Sequence, residues 1–304
     1  MQSLRTPEGR FDALVDFDFE PHYVEVADGE GGRLRIHYLD EGPGDGEVVL
    51  LMHGEPSWSY LYRKMIAPLK NEGLRCVVPD LVGFGRSDKP ARRSDYTYAR
   101  HVEWMRSALF DELGLSGVTL VGQDWGGLIG LRLVGEHPER FGRLVLANTG
   151  LPTGDGKISE AFTAWQRFSQ DVPELPVGQI VAGGCAVRPS AEVIAAYDAP
   201  FPDESYKEGA RVFPLLVPTR PDDPASEANR SAWARLEAFE RPVLTAFSDS
   251  DPITKGGERE FLTRVPGARH QAHQVIEGAS HFLQEDKGAE LAAVVVAFIS
   301  ANPP

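Results

Sequence analysis

The sequence of 304 residues has little of several features that define common protein classes. Its two cysteines, Cys76 and Cys185, are too few for a disulfide framework. With 31 basic against 45 acidic residues the net charge is −14, which leaves no basic surplus for nucleic-acid phosphates. No apolar run approaches the ~18 residues of a membrane span, and no apolar signal segment opens the chain. We therefore expect a cytoplasmic protein without nucleic-acid or membrane partners.

Nucleotide-binding motifs are missing as well, since there is neither a G-x-G-x-x-G fingerprint nor a Walker sequence. What is present is an alternation of apolar strand patterns and amphipathic helix patterns, which predicts a mostly parallel, doubly wound α/β sheet. The expected strands are residues 34–38, 47–52, 75–79, 118–121, 143–147, 242–247 and 272–276. The expected helices of this layer include residues 59–70, 98–113, 258–264 and 289–299.

The alternation breaks between residues 152 and 228, where prolines become frequent. Short helical patterns remain at residues 160–169, 191–197 and 205–212, and aromatic residues recur among them. A flexible linker would not need those aromatic residues. We therefore predict a main domain formed by residues 1–151 and 229–304, with a helical cap domain inserted at residues 152–228.

The most informative stretch is residues 118–134, which predicts a buried strand, one sharp turn and a buried helix. Gly122, Gly126 and Gly127 flank the turn, where a Cβ would collide with the backbone or force a forbidden dihedral angle. This is the nucleophile-elbow pattern of G-x-S-x-G hydrolases, but the residue at the tip is Asp124 instead of serine. A helix N-cap is the simpler role for Asp124, although an N-cap does not require the three glycines.

An aspartate at the tip changes the chemistry that the elbow can perform. A serine that attacked a saturated carbon would form an ether, which has no easy route onward. Asp124 attacking the same carbon forms an ester, and water can attack the carbonyl of that ester. Because a carboxylate is already ionised at neutral pH, the first step needs no base. Asp124 therefore predicts displacement at a saturated carbon followed by ester hydrolysis.

The second step does need a base, and His281 follows the strand 272–276 at the same predicted edge of the sheet. His53 also ends a strand at that edge and is the competing candidate. A carboxylate normally orients such a histidine, and both Asp249 and Asp251 follow the strand 242–247. We favour Asp251, since Pro252 biases it to an extended conformation.

Two tryptophans are candidates for binding a leaving group. Trp125 adjoins the predicted nucleophile and Trp165 lies in the predicted cap, and an indole N–H is a donor without an acceptor. Together they fit a halide site, although Trp165 fits a packing role equally well. Glu55 and the backbone N–H of Trp125 are candidate donors for the oxyanion of the ester intermediate.

These features resemble the haloalkane dehalogenases of the α/β-hydrolase superfamily, over nearly the whole chain. The motifs that carry the resemblance are His53-Gly-Glu-Pro, Asp80-Leu-Val-Gly-Phe-Gly-Arg-Ser-Asp-Lys-Pro, Gly122-Gln-Asp-Trp-Gly-Gly, Phe162-Thr-Ala-Trp, Ala199-Pro-Phe-Pro-Asp, Phe247-Ser-Asp-Ser-Asp-Pro and Gly278-Ala-Ser-His.

The resemblance implies a role for each candidate residue. Asp124 is then the nucleophile, His281 the base and Asp251 the acid, and Asn148, being neutral, fits the subfamily whose acid follows the later strand. The remaining implied site residues are Trp125 and Trp165 as halide donors, Glu55 with the Trp125 backbone as the oxyanion site, and Phe162 as a pocket residue.

Three alternatives remain beside this interpretation. An epoxide hydrolase also uses an elbow aspartate and activates the epoxide with cap tyrosines, for which Tyr197 and Tyr206 are available. A coelenterazine-type monooxygenase and a ligand receptor on the same fold are the other two. We predict hydrolysis of small haloalkanes to alcohol and halide, with water as co-substrate and without a metal or organic cofactor. For assembly we expect a monomer, with a small homo-oligomer as the alternative.

Overall fold

The computed structural model describes residues 1–304, in which strands and helices alternate along most of the chain. The strands are β1 (Ser3–Leu4), β2 (His22–Ala27), β3 (Arg33–Glu41), β4 (Val48–Met52), β5 (Arg75–Pro79), β6 (Lys89–Pro90), β7 (Val118–Gln123), β8 (Phe141–Ala147), β9 (Val243–Ser248) and β10 (Gln274–Ile276). The helices are α1 (Arg63–Asn71), α2 (Tyr98–Arg106), α3 (Trp125–Glu136), α4 (Glu160–Asp171), α5 (Val177–Gly183), α6 (Ala191–Asp198), α7 (Glu208–Leu216), α8 (Ser226–Leu236), α9 (Glu258–Arg264) and α10 (Leu283–Ala301).

Eight strands form one sheet in the order β10-β9-β8-β7-β4-β5-β3-β2. All neighbours from β10 to β5 run parallel, and β3 and β2 add an antiparallel edge. The central strands β4 and β7 are apolar and buried almost throughout, because helices cover both faces of parallel sheets. The prediction of a mostly parallel α/β sheet is confirmed.

Three of the predicted helices have different limits in the structure. The one expected at 59–70 is a 3-10 turn at Ser59–Tyr62 followed by α1. The helix expected at 98–113 is α2, which ends at Arg106 and continues as a π-helical turn at Ser107–Glu112. The last helix begins at Leu283, six residues before its apolar pattern. Its polar first turn is held in the fold by Glu285, whose buried carboxylate lies 2.6 Å from Nη1 of Arg63. No helix is both long enough and apolar enough to cross a bilayer.

The segment between β8 and α8 carries the four helices α4 to α7. The patterns at 160–169 and 191–197 correspond to α4 and α6, and the one at 205–212 overlaps a 3-10 turn at Glu204–Lys207 and the start of α7. Helix α5 has no counterpart in the prediction, since glycines interrupt its short apolar pattern. Helix α8 packs on α3, where Arg132 donates to Asn229 at 3.2 Å, and the predicted boundary at residue 228 falls inside α8.

Candidate active site

The elbow places a single residue, Asp124, between the end of β7 at Gln123 and the start of α3 at Trp125. Its dihedral angles, φ 49° and ψ −125°, lie where residues other than glycine are rarely found, and such strain concentrates at functional sites. A Cβ on Gly126 would come within 2.0 Å of the carbonyl oxygen of Met52. Only glycine at this position therefore lets α3 begin so close to the end of β4.

Two backbone N–H groups meet the carboxylate of Asp124. The N–H of Glu55 donates to Oδ1 at 2.7 Å, and the N–H of Trp125 is the second donor. Burial raises the pKa of Asp124 above its usual value, while the charge of His281 and these two donors oppose the rise. Since Oδ1 accepts the N–H of Glu55, Oδ2, on the side of His281, is the candidate for the reacting oxygen.

His281 lies between two carboxylates. Its Nδ1 is 3.1 Å from Oδ2 of Asp251, and its Nε2 is 3.7 Å from Oδ2 of Asp124. Burial disfavours the charged imidazole, but the charge and hydrogen bond of Asp251, together with the charge of Asp124, raise the pKa of His281 to about 8. The hydrogen bond at Nδ1 leaves Nε2, on the side of Asp124, as the nitrogen that can accept a proton.

The turn after β9 contains both candidate acids, and the structure brings only Asp251 to His281. Asp251 is fully buried, and although burial would raise its pKa, the charge and hydrogen bond of His281 hold that pKa to about 2. Asp249 is exposed and accepts the backbone N–H of Gly278 at 3.1 Å. Asp249 therefore caps the loop that leads to His281 and does not contact the imidazole.

Asn148, at the end of β8, ties the loops of the site together. Its side-chain amide donates to Oγ of Ser248 and to the carbonyl oxygen of Ser280, each at 2.9 Å. Its backbone carbonyl accepts the N–H of Asp124 at 3.0 Å. A neutral amide at this position thus fixes the elbow and the His281 loop without adding a charge beside the imidazole.

His53, the competing histidine, has both ring nitrogens occupied by the backbone. Nδ1 lies 2.9 Å from the carbonyl oxygen of Gly54, and Nε2 accepts the N–H of Leu81 at 2.9 Å. Burial also lowers the pKa of His53. The imidazole of His53 therefore holds the loop after β4 and has no nitrogen left for proton transfer.

A cavity of about 810 Å³ connects the catalytic candidates with the segment between β8 and α8. Asp124 and His281 line it together with four other residues predicted for the site, Glu55, Trp125, Phe162 and Trp165. Asp251 lies outside the lining, behind His281. The acid is thus kept away from the space where a substrate would bind.

The two tryptophans predicted to bind a halide both line this cavity, in different surroundings. Trp125 is held between Tyr98 and Phe213, with ring centroids 4.9 and 4.5 Å away. Trp165 is half-buried and stacks on Phe168 at 6.0 Å. The indole N–H of Trp125 has no protein acceptor, and that of Trp165 faces the carboxyl group of Glu55, whereas those of Trp58 and Trp233 donate to carbonyl oxygens.

The carboxyl group of Glu55 is buried beside Asp124, and its Oε1 has no hydrogen-bond partner. Burial and the charge of Asp124 raise the pKa of Glu55 well above its usual value, while a hydrogen bond from Trp165 lowers it in part. Its surroundings therefore favour the protonated, neutral form of the Glu55 carboxyl group. No set of three or more His, Cys, Asp or Glu side chains is grouped as metal ligands.

The two cap tyrosines available to an epoxide hydrolase are both absent from the cavity lining. Tyr197 is fully buried and donates its hydroxyl to Oε2 of Glu285 at 2.7 Å. Tyr206 packs against the hydrophobic core instead. Neither hydroxyl is placed to polarise a group that Asp124 attacks.

Two further residues touch the catalytic candidates and were not predicted from the sequence. The amide of Gln123 lies 3.2 Å from the carbonyl oxygen of His281 and 3.3 Å from its Nε2. The hydroxyl of Thr254 donates to Oδ2 of Asp251. The position of Gln123 directly before the predicted nucleophile was a signal that could have found it, whereas Thr254 in its polar turn gave none.

Comparison with known proteins assigns the fold to a superfamily. Residues 47–288 match the family model of the α/β-hydrolase fold. A tetrameric haloalkane dehalogenase from Paraglaciecola agarilytica NO2 superposes with a TM-score of 0.90 at 38% sequence identity, covering 98% of each chain. The protein is therefore a member of the α/β-hydrolase superfamily.

Similarity at the sequence level defines the family within that superfamily. A haloalkane dehalogenase from Psychrobacter cryohalolentis is 58% identical over 100% of both chains. Another from Mycolicibacterium paratuberculosis is 52% identical over 99% of both chains. The chain belongs to the haloalkane dehalogenases.

Proposed function

We propose that this protein hydrolyses haloalkanes, so that R–X and water become R–OH, a halide ion and a proton. The observation that carries the proposal is a carboxylate, Asp124, at the tip of a hydrolase elbow, facing both a histidine and a cavity. A serine at the tip would serve acyl substrates, whereas a carboxylate serves saturated carbon.

In the first step Oδ2 of Asp124 attacks the carbon that carries the halogen. A C–O bond forms while the C–X bond breaks, and the halogen leaves with the bonding electron pair. Oδ2 is assigned as the attacking atom because Oδ1 already accepts the N–H of Glu55. The indole N–H groups of Trp125 and Trp165 bind the departing halide, and Phe162 lines the space for the alkyl chain.

In the second step His281 takes a proton from water at Nε2, and the resulting hydroxide attacks Cγ of the ester. Negative charge develops on Oδ1, where the N–H groups of Glu55 and Trp125 stabilise it. Collapse of this intermediate breaks the bond from Cγ to the ester oxygen, and His281 returns its proton to the departing alkoxide. The re-formed carboxyl group of Asp124 then ionises, and Asp251 keeps the imidazole oriented throughout.

The first step also prepares the base for the second. The charge of Asp124 is one of the three influences that raise the pKa of His281 to about 8, beside the charge and the hydrogen bond of Asp251. Once Asp124 is a neutral ester, that influence is gone and the pKa of His281 falls. More of the imidazole is then neutral at the stage where a neutral imidazole is needed.

The segment predicted as a cap, residues 152–228, supplies one wall of the site in this proposal. Phe162, Trp165, Ile180 and Val217 from this segment line the cavity opposite Asp124. The rival epoxide hydrolase has less support, since Tyr197 and Tyr206 do not line the cavity. The monooxygenase and receptor alternatives have no support from the full-length similarity to haloalkane dehalogenases.

The test traps the ester. A His281→Phe variant incubated with 1-bromobutane is expected to gain the mass of one butyl group on the peptide that contains Asp124, and wild-type protein is expected to release bromide continuously. The double variant with Asp124→Asn is the matched control and should gain no mass. No adduct on the single variant, together with no bromide from wild type, rejects the proposal.

The same samples address assembly. A monomer or a small homo-oligomer stays the prediction for this chain, and light scattering of the wild-type protein gives its mass.

A further inference from the structure

The buried carboxylate of Asp251 receives four hydrogen bonds. Its Oδ1 accepts the N–H of Ile253 at 2.9 Å. Its Oδ2 accepts the N–H of Thr254 at 3.2 Å, the hydroxyl of Thr254, and Nδ1 of His281 at 3.1 Å. The oxygen that orients the imidazole is thus shared with a second side chain.

Thr254 differs from the other donors to Asp251. The two N–H groups belong to the backbone, which any sequence in this turn would supply, and His281 is the group being oriented. The hydroxyl of Thr254 is the only donor that another side chain adds. The backbone N–H of Thr254 donates to the same oxygen, so Thr254 is attached to Oδ2 of Asp251 by two hydrogen bonds.

We propose that Thr254 is a positioning residue, whose hydroxyl holds the carboxylate of Asp251 in register with His281 and moderates the strength with which Asp251 stabilises the imidazolium. This inference rests on the proposed function for the roles of Asp251 and His281. Thr254 also borders the cavity, but in this inference its hydroxyl acts only through Asp251.

The direction of the effect follows from the charges around His281. Its salt-bridge partners are Asp251 and Asp124, and Gln123 beside it is neutral. Glu55, whose protonated form is favoured by burial, lies beyond Asp124. Each hydrogen bond to Oδ2 draws negative charge away from the contact with Nδ1. Removing the hydroxyl makes Oδ2 a stronger acceptor for His281 and raises the pKa of the imidazole.

Only neutral imidazole activates water, so a higher pKa moves the acid limb of ester hydrolysis to higher pH. A purely structural hydroxyl that closes the turn of residues 251–254 would give a different result. Its loss would lower the stability of the fold and leave the position of the acid limb unchanged.

The experiment measures hydrolysis of the butyl ester in single turnovers between about pH 5.5 and about pH 9. Thr254→Val is expected to shift the acid limb upward by about half a pH unit or more. Thr254→Ser keeps the hydroxyl and should overlay wild type. The control is Thr263→Val, since the hydroxyl of Thr263 bonds only within α9 on the exposed surface.

A second measurement separates failure of this inference from failure of the proposed function. NMR titration of His281 reports its pKa in the same variants without turnover, and Thr254→Ala replaces Thr254→Val if the latter does not fold. An upward shift in the valine or alanine variant, restored by serine, supports the inference even if wild type releases no halide. A pKa and an acid limb that both coincide with wild type overturn it.

Discussion

Nε2 of His281 lies 3.7 Å from Oδ2 of Asp124, and this separation is too long for a direct hydrogen bond. The base and the nucleophile therefore attract each other through charge but do not share a proton. In the proposed reaction each acts in its own step: Oδ2 attacks carbon, and Nε2, which has the Gln123 amide at 3.3 Å, accepts a proton from water.

The charge of Asp124 should be visible in the titration of His281. We expect Asp124→Asn to lower the pKa of His281 from about 8, because one of its two carboxylate partners becomes neutral. Histidine NMR signals recorded against pH measure the shift. Asp249→Asn is the control, since Asp249 is exposed and bonds to Gly278. Equal pKa values in Asp124→Asn and wild type would contradict the electrostatic coupling.

Replacing Glu55 by glutamine should be tolerated at neutral pH. Burial raises the pKa of Glu55 well above its usual value and so favours its protonated form, which resembles an amide. As pH rises through that pKa, wild type gains a second carboxylate beside Asp124 and loses activity. Glu55→Gln should lack this alkaline loss in a profile of kcat/KM. Strong inactivation of Glu55→Gln at neutral pH would instead mean that the ionised acid is required.

Trp165 should contribute to halide binding beyond its packing. A hydrogen bond to a charged group is worth about 1.5–3 kcal/mol, so Trp165→Phe is expected to raise the Kd for bromide about tenfold or more. Quenching of the remaining indole fluorescence measures it. Trp104→Phe makes the same exchange at a buried position outside the cavity and should leave Kd unchanged. An unaltered Kd in Trp165→Phe removes that residue from the site.

The cavity should favour substrates longer than two carbons. Its volume of about 810 Å³ lies in the range that holds drug-sized ligands. Burial of each methylene stabilises the bound state by about 0.8 kcal/mol, or about fourfold in kcat/KM. We expect kcat/KM to rise steadily from bromoethane to 1-bromohexane, and Ile180→Trp to reduce it mainly for the longer substrate. A decline with length in wild type would contradict this preference.

The elbow should be intolerant of one added methyl group. Gly126→Ala places a Cβ within 2.0 Å of the carbonyl of Met52, and overpacking of this kind lowers the free energy of unfolding by about 1–3 kcal/mol. Gly44→Ala is the control, because its Cβ meets no atom within 4 Å. Urea denaturation compares the two, and equal midpoints would mean that the backbone at the elbow can yield.

Much of the fold and the outline of the site could be predicted from the sequence for one physical reason. Apolar strand patterns locate parallel strands, and residues just after those strands meet at one edge of the sheet. That rule is enough to bring Asp124, His281 and the turn 249–252 together. The glycines around Asp124 predicted the elbow, since a tight turn restricts which residues can occupy the positions around it.

Features that depend on where side chains point were harder to predict from the sequence. The sequence offered a reason to prefer Asp251 over Asp249. Only the structure shows that Asp251 is buried with Oδ2 at 3.1 Å from Nδ1 of His281, and that Asp249 is exposed. Thr254 carried no signal at all, since a threonine in a polar turn is unremarkable until its hydroxyl meets Asp251. The early start of α10 was missed because the buried Glu285 is compensated by Arg63, which lies 222 residues away in sequence.

The residues that line the cavity come from two kinds of segment, and this division has a consequence for how such a protein can diverge. Asp124 and His281, the proposed nucleophile and base, follow strands of the sheet, whereas Phe162, Trp165 and Val217 come from the segment between β8 and α8. Changes in the insertion can therefore alter which leaving group and chain shape are accepted while reactivity is inherited intact. Natural selection, or a directed library confined to those residues, can therefore change which substrates are accepted without changing the reaction.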